Sequence, residues 1–89
     1  MIVAKKVQYS GNVQGVGFRY TNCRIATEFA VTGYVRNLAN GDVEVIAQGE
    51  SEAVDSFVGA IAGRMSHYIT GVSAQEQQPG NYSGFQIRH

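Results

Sequence analysis

A glycine-rich turn that ends in a cation is the segment of this chain best suited to chemistry. Residues 11–19 read Gly-Asn-Val-Gln-Gly-Val-Gly-Phe-Arg, and a helical pattern begins directly after them. A strand that turns into a helix leaves backbone N–H groups without partners, and Gly15 and Gly17 let that backbone approach a ligand closely. The helix dipole and the planar guanidinium of Arg19 both favour an anion. The segment predicts a phosphate site; the alternative is a plain turn with Arg19 paired to a surface carboxylate.

A second segment, Gly33-Tyr34-Val35-Arg36-Asn37, leads into a predicted hairpin turn at Asn40-Gly41, so that the amide of Asn37 can face the same pocket. Arg36 should point to the other face of its strand and remain a solvated charge. Neither segment contains a histidine, aspartate, glutamate or cysteine, so no proton donor or covalent nucleophile is evident. A carboxyl–phosphate anhydride suits such a site, because its leaving carboxylate, with a conjugate acid of pKa roughly 4, needs no protonation.

Hydrophobic periodicity predicts the elements that must position these residues. Their order is β-α-β-β-α-β with an added last strand, which is typical of an α+β, ferredoxin-like split β-α-β sandwich. Two helices should pack on one face of an antiparallel sheet of four to five strands. The predicted strands span residues 5–13, 34–38, 42–48, 69–77 and 82–88. The predicted helices span residues 20–30, ended by Gly33, and 51–65, capped by Ser51, and the first should expose Asn22 while burying Cys23.

Together, the two segments closely resemble the signatures of the acylphosphatase family, and the resemblance covers nearly the whole chain, including residues 40–44 and 82–88. It implies a small acyl phosphate as substrate, inorganic phosphate as product and competitive ligand, and no cofactor. It also implies that Arg19 is the catalytic, phosphate-binding arginine and that Asn37 positions the attacking water. The rest of the implied phosphate cradle is the backbone of Gln14, Gly15, Val16, Gly17 and Phe18.

The departures from the family pattern are mild. Tyr34 stands where the family often has tryptophan, Asn12 where a basic residue is common, and Asn40 where aspartate is frequent. None of them replaces Arg19 or Asn37, so they bear on substrate affinity and turn stability rather than on the type of reaction.

Length and composition narrow the remaining possibilities. With 89 residues, we expect a single domain over residues 1–89 and a monomer. Seven basic and seven acidic side chains cancel, which argues against binding to nucleic acid or to an anionic membrane. No apolar run is long enough for a signal peptide or a membrane span, and Cys23 is the only cysteine, so we expect a cytoplasmic protein. Acidic residues are dispersed and His67 and His89 are isolated, so we predict no metal.

Two other classes of function fit the same element order. RNA-recognition domains share it, but they stack bases on aromatic residues of the central strands, and the third predicted strand here is acidic and has no aromatic residue. A non-catalytic anion sensor, or a domain serving a carbamoyl-transfer assembly, would keep the cradle. The presence of both Arg19 and Asn37 favours an enzyme.

Overall fold

The computed structural model describes all 89 residues, which form five strands and two helices. In chain order the elements are β1 (Ile2–Gly11), α1 (Phe18–Ala26), β2 (Val31–Asn37), β3 (Val43–Glu50), α2 (Ser51–Arg64), β4 (Ile69–Gln77) and β5 (Phe85–Ile87). The strands make one sheet in the order β4-β1-β3-β2-β5, and the two helices pack against it. The predicted fold class is confirmed. Neither helix has the length and apolar character that crossing a membrane requires.

The pairing of the central strands brings two chain segments together. Both β1 and β2 run antiparallel to β3, which lies between them, so β1 and β2 run in the same direction. In the register, Tyr9 lies opposite Val43, and Val43 lies opposite Asn37. The C-terminal ends of β1 and β2 therefore lie at the same end of the sheet. One pairing departs from the expected antiparallel sheet, because the short edge strand β5 runs parallel to β2.

The core lies between the sheet and the helices. Val7, Val45 and Val35 occupy neighbouring positions on adjacent strands and are fully buried. Phe57 of α2 packs on this face, is equally buried, and makes an edge-on contact with the ring of Phe85 at 5.1 Å between centroids. The burial of such large side chains is the main term that holds the helices on the sheet.

The other face of the sheet is crossed by the chain itself. Residues 78–84 connect β4 at one edge with β5 at the other. The side-chain amide of Gln48 in β3 donates to the Gly80 carbonyl at 3.0 Å and accepts from its N–H at 2.8 Å. The ring of Tyr82 packs against that of Tyr34 in β2, with centroids 6.1 Å apart. This crossing segment covers part of the face that the helices leave open.

Three local predictions were wrong. The first helix is shorter than expected, and Gly33 does not end it but lies within β2. Ser51 does not cap the second helix: Glu50 occupies the N-cap position and no side chain bonds there. Asn22 is buried rather than exposed, because its amide donates to the Phe18 carbonyl at 2.6 Å one turn earlier in α1.

Candidate active site

The loop between β1 and α1 offers a set of unpaired backbone donors. Gly15 and Gly17 have φ angles of 78° and 75°, in the left-handed region that glycine adopts without strain. The first helical bond runs from the Thr21 N–H to the Gly17 carbonyl at 3.0 Å. The backbone N–H groups of residues 14–20 have no acceptor in the protein. Such donors at a helix N-terminus, together with the helix dipole, attract an anion.

Arg19 adds a full positive charge beside these donors. Its side chain is half-buried and takes part in no salt bridge with a carboxylate. The alternative in which Arg19 pairs with a surface carboxylate is therefore not what the structure contains. Its Nη1 lies 3.4 Å from Nδ1 of His89, which sequence reasoning missed because the two residues are 70 positions apart. The charge of Arg19 remains uncompensated and available to an anion.

Asn37 lines the same pocket as Arg19. It is the last residue of β2, its side chain is exposed, and its amide makes no hydrogen bond within the protein. The pocket has a volume of about 240 Å³. Its lining consists of Val13, Gly15, Gly17, Phe18, Arg19, Tyr20 and Asn37. The structure thus brings Arg19 and Asn37 together with three residues of the predicted cradle, and adds Val13 and Tyr20, which were not predicted.

Two predicted cradle residues do not line the pocket. The side chain of Gln14 turns towards the β2–β3 hairpin, where its Nε2 donates to the carbonyls of Leu38 and Asp42, both at 2.9 Å. Val16 is half-buried and packs against the hydrophobic core. Gln14 therefore links the loop by hydrogen bonds to the hairpin that follows Asn37, and Val16 holds the loop by packing against the core.

Arg36 lies outside the pocket, as predicted, but it is not simply solvated. Its Nε donates to Oε2 of Glu44 at 2.6 Å, and the same oxygen accepts a bond from the Tyr34 hydroxyl at 3.2 Å. The Glu44 carboxylate is 6% exposed and raises the pKa of the Arg36 guanidinium above its usual range. Arg36 is a surface charge, as predicted, with its side chain 43% exposed, but it is paired, because its cross-strand neighbour is this buried carboxylate.

Cys23 and the acidic residues take no part in the pocket. Cys23 is half-buried against the core, and burial raises the pKa of its thiol, which makes it a poor nucleophile near neutral pH. No three or more histidine, cysteine, aspartate or glutamate side chains lie close enough together to hold a metal ion.

The fold and the pocket define a small α+β domain with a loop of unpaired backbone donors beside an arginine, and comparison with known proteins identifies its family. A family model described as Acylphosphatase matches residues 5–87. The acylphosphatase of Archaeoglobus fulgidus is 38% identical over 89 residues, which cover 99% of this chain and 100% of that one. The chain belongs to the acylphosphatase family.

Solved structures agree with this assignment. The crystal structure of acylphosphatase from Bacillus subtilis is similar with a TM-score of 0.88 and 30% identity, covering 100% of both chains. The crystal structure of HypF from T. kodakarensis is similar with a TM-score of 0.85 and 29% identity, covering 98% of this chain but 12% of that one. The same fold thus also occurs as a small part of a much larger protein.

Proposed function

We propose that this protein is a metal-independent acylphosphatase, which hydrolyses the carboxyl–phosphate bond of small acyl phosphates to a carboxylate and inorganic phosphate. The observation that carries the proposal is one pocket in which three things meet: the uncompensated charge of Arg19, unpaired backbone N–H groups, and the free amide of Asn37. Membership of the acylphosphatase family supports the reaction class.

In the proposed mechanism, the phosphoryl oxygens bind to the Arg19 guanidinium and to the N–H groups of the loop. The side-chain oxygen of Asn37 accepts a hydrogen bond from water and holds it in line with the scissile bond. The water oxygen bonds to phosphorus, the bond from phosphorus to the carboxyl oxygen breaks, and the carboxylate leaves with the electron pair. The proton of the water passes to a phosphoryl oxygen. Arg19 and the N–H groups stabilise the charge that spreads over the phosphoryl oxygens in the transition state.

The chemistry of the lining explains why the substrate should be an anhydride rather than an ester. The residues that line the pocket present backbone amides, one guanidinium, one carboxamide and one phenol, without a carboxylate or thiolate; the imidazole of His89 contacts Arg19 but does not line the pocket. An alkyl phosphate would need its alkoxide protonated or bound to a metal, and this set of groups includes neither a general acid that titrates near neutral pH nor a set of metal ligands. A carboxylate leaving group needs no such help.

The alternatives receive less support. An RNA-recognition domain uses aromatic residues on its open sheet face. Here that face is crossed by residues 78–84, and Tyr34 is occupied by packing against Tyr82. A non-catalytic phosphate-binding module does not require a free amide in the same pocket, whereas Asn37 lines the pocket without any partner in the protein.

The test is hydrolysis of benzoyl phosphate and acetyl phosphate by the purified protein in the presence of a chelator, with Arg19→Ala and Asn37→Ala as variants. By analogy with the loss of one oxyanion donor, each should lower kcat by on the order of a hundredfold or more. Arg19→Ala should also weaken competitive inhibition by inorganic phosphate, while Asn37→Ala should preserve it. Arg24→Ala is the matched control, because Arg24 is an exposed cation of α1 outside the pocket.

The outcomes separate the candidate functions. Activity that survives the chelator and collapses in both variants supports the proposal. A folded wild-type protein that binds phosphate without hydrolysing either substrate would favour the anion-binding module. Activity that the chelator abolishes would refute the metal-independent mechanism.

A further inference from the structure

Tyr20 lines the pocket and carries an exposed aromatic ring. It follows Arg19 in α1 and is 74% exposed, and it is the only exposed large apolar side chain that lines the pocket. The other apolar residues of the lining, Val13 and Phe18, are each 1% exposed and offer almost no surface to a ligand. Among the apolar side chains of the lining, Tyr20 is therefore the one with exposed area that a bound molecule can contact.

The Tyr20 ring makes no aromatic or cation–π contact within the protein. The four aromatic pairs of the structure do not include Tyr20, and the cations that lie over a ring both lie over Tyr34. The Tyr20 hydroxyl makes no hydrogen bond, whereas the hydroxyl of Tyr34 donates to Glu44. A large aromatic side chain in this position gains little from folding, but its flat apolar face is free to stack on a ligand.

We propose that Tyr20 contacts the acyl group of the substrate and gives the site a preference for flat, apolar acyl groups. The inference rests on the proposed function. The loop amides and Arg19 hold the phosphoryl group, so the acyl group is the part of the substrate left to contact the remaining lining. Aromatic pairing of this kind is worth about a three- to tenfold preference. A methyl group covers only a fraction of the ring and gains correspondingly less.

The experiment compares kcat/KM for benzoyl phosphate and for acetyl phosphate in the wild-type protein and in Tyr20→Ala, Tyr20→Phe and Tyr68→Ala. The preference for benzoyl phosphate should fall about three- to tenfold in Tyr20→Ala, through a higher KM, because the contact is made equally in the ground state and the transition state. Tyr20→Phe keeps the ring and should keep the preference. Tyr68 is an exposed tyrosine outside the pocket and serves as the control.

Inhibition by inorganic phosphate provides the second readout, because phosphate has no acyl group to contact Tyr20. Its inhibition constant should be the same in Tyr20→Ala as in the wild type. Equal losses on both substrates, or weaker phosphate inhibition, would overturn the inference and assign Tyr20 to shaping the start of α1. An unchanged preference in Tyr20→Ala would overturn it as well, while leaving acylphosphatase activity in place. A wild-type protein inactive on both substrates would refute the proposed function and this inference together.

Discussion

The side chain of Gln14 joins the two halves of the candidate active site. Its Nε2 donates to the carbonyls of Leu38 and Asp42, which belong to the turn that follows Asn37. Both carbonyls also accept backbone bonds: that of Asp42 from the Leu38 N–H at 2.8 Å, and that of Leu38 from the Gly41 N–H at 3.2 Å. Gln14→Met, which has a similar length and no donor, therefore removes two hydrogen bonds without leaving an acceptor unpaired.

Because each hydrogen bond contributes about 1 kcal/mol net, Gln14→Met should lower the free energy of unfolding by about 1–3 kcal/mol. The effect on catalysis should be larger than this loss implies. Without the link, the cradle and Asn37 shift relative to each other, and a displacement of about 1 Å can cost on the order of a hundredfold in rate. We expect kcat for benzoyl phosphate to fall about ten- to a hundredfold. Urea unfolding and steady-state kinetics on the same preparation measure both quantities.

Gln8→Met is the matched control. The Nε2 of Gln8 donates to Oδ2 of Asp42 at 2.6 Å, so it reaches the same hairpin from β1 without touching the cradle loop. This variant should lose stability while keeping kcat near the wild-type value. The reasoning is refuted if Gln14→Met retains wild-type kcat despite its lost stability, or if both variants lose kcat equally.

Two further predictions concern stability. Gly33→Ala should lower the free energy of unfolding by about 3–4 kcal/mol, because φ is 139° and an added Cβ overlaps the Ile46 carbonyl oxygen. At Gly41, φ is 96° but an added Cβ would meet no atom within 4 Å, so Gly41→Ala should lower the free energy of unfolding by about 1–2 kcal/mol in the same urea titration. Equal losses in the two variants would contradict the close approach at Gly33. Tyr9→Phe should match or exceed wild-type stability at neutral pH, because the buried Tyr9 hydroxyl has no hydrogen-bond partner. Burial raises the pKa of Tyr9 well above its usual range, so above about pH 10 only the unfolded chain loses this proton and wild-type stability should fall. Urea unfolding from pH 8 to 11 should show a shallower decline of the unfolding free energy in Tyr9→Phe than in the wild type, and identical slopes would contradict the prediction.

The fold was predictable because its signals are local. The valines of β1 and β3 alternate with polar residues or form short apolar runs, and the stripe on α2 repeats at helical spacing. The turn at Asn40-Gly41 was also predictable from the sequence, although only Gly41 has a positive φ there. Periodicity assigns elements well where one face is buried and the other is not.

The errors arose where a polar or small residue has a contact that the hydrophobic pattern does not show. Asn22 is polar, yet it is buried because it satisfies the Phe18 carbonyl. Gly33 reads as a helix stop, but glycine is needed there because β3 passes too close for a side chain. The role of the Gln14 side chain had no signal at all, since its acceptors are backbone carbonyls 24 and 28 residues away. The contacts of Gly33 and Gln14 depend on the assembled fold rather than on the local pattern.

The strand order also determines when the pocket can form during folding. Ala4 pairs with Gln77, and Val35 pairs with Ile87, so nearly the whole chain must be present before β1 and β2 gain both of their neighbours. Pairings between such distant positions carry a large loop-closure cost and slow the folding reaction. The loop with the unpaired N–H groups follows β1 and Asn37 ends β2, so a partly folded or still incomplete chain has not assembled the candidate site. Phosphate should therefore bind only the native state, raise its stability in proportion to the logarithm of its concentration, and slow unfolding rather than speed folding.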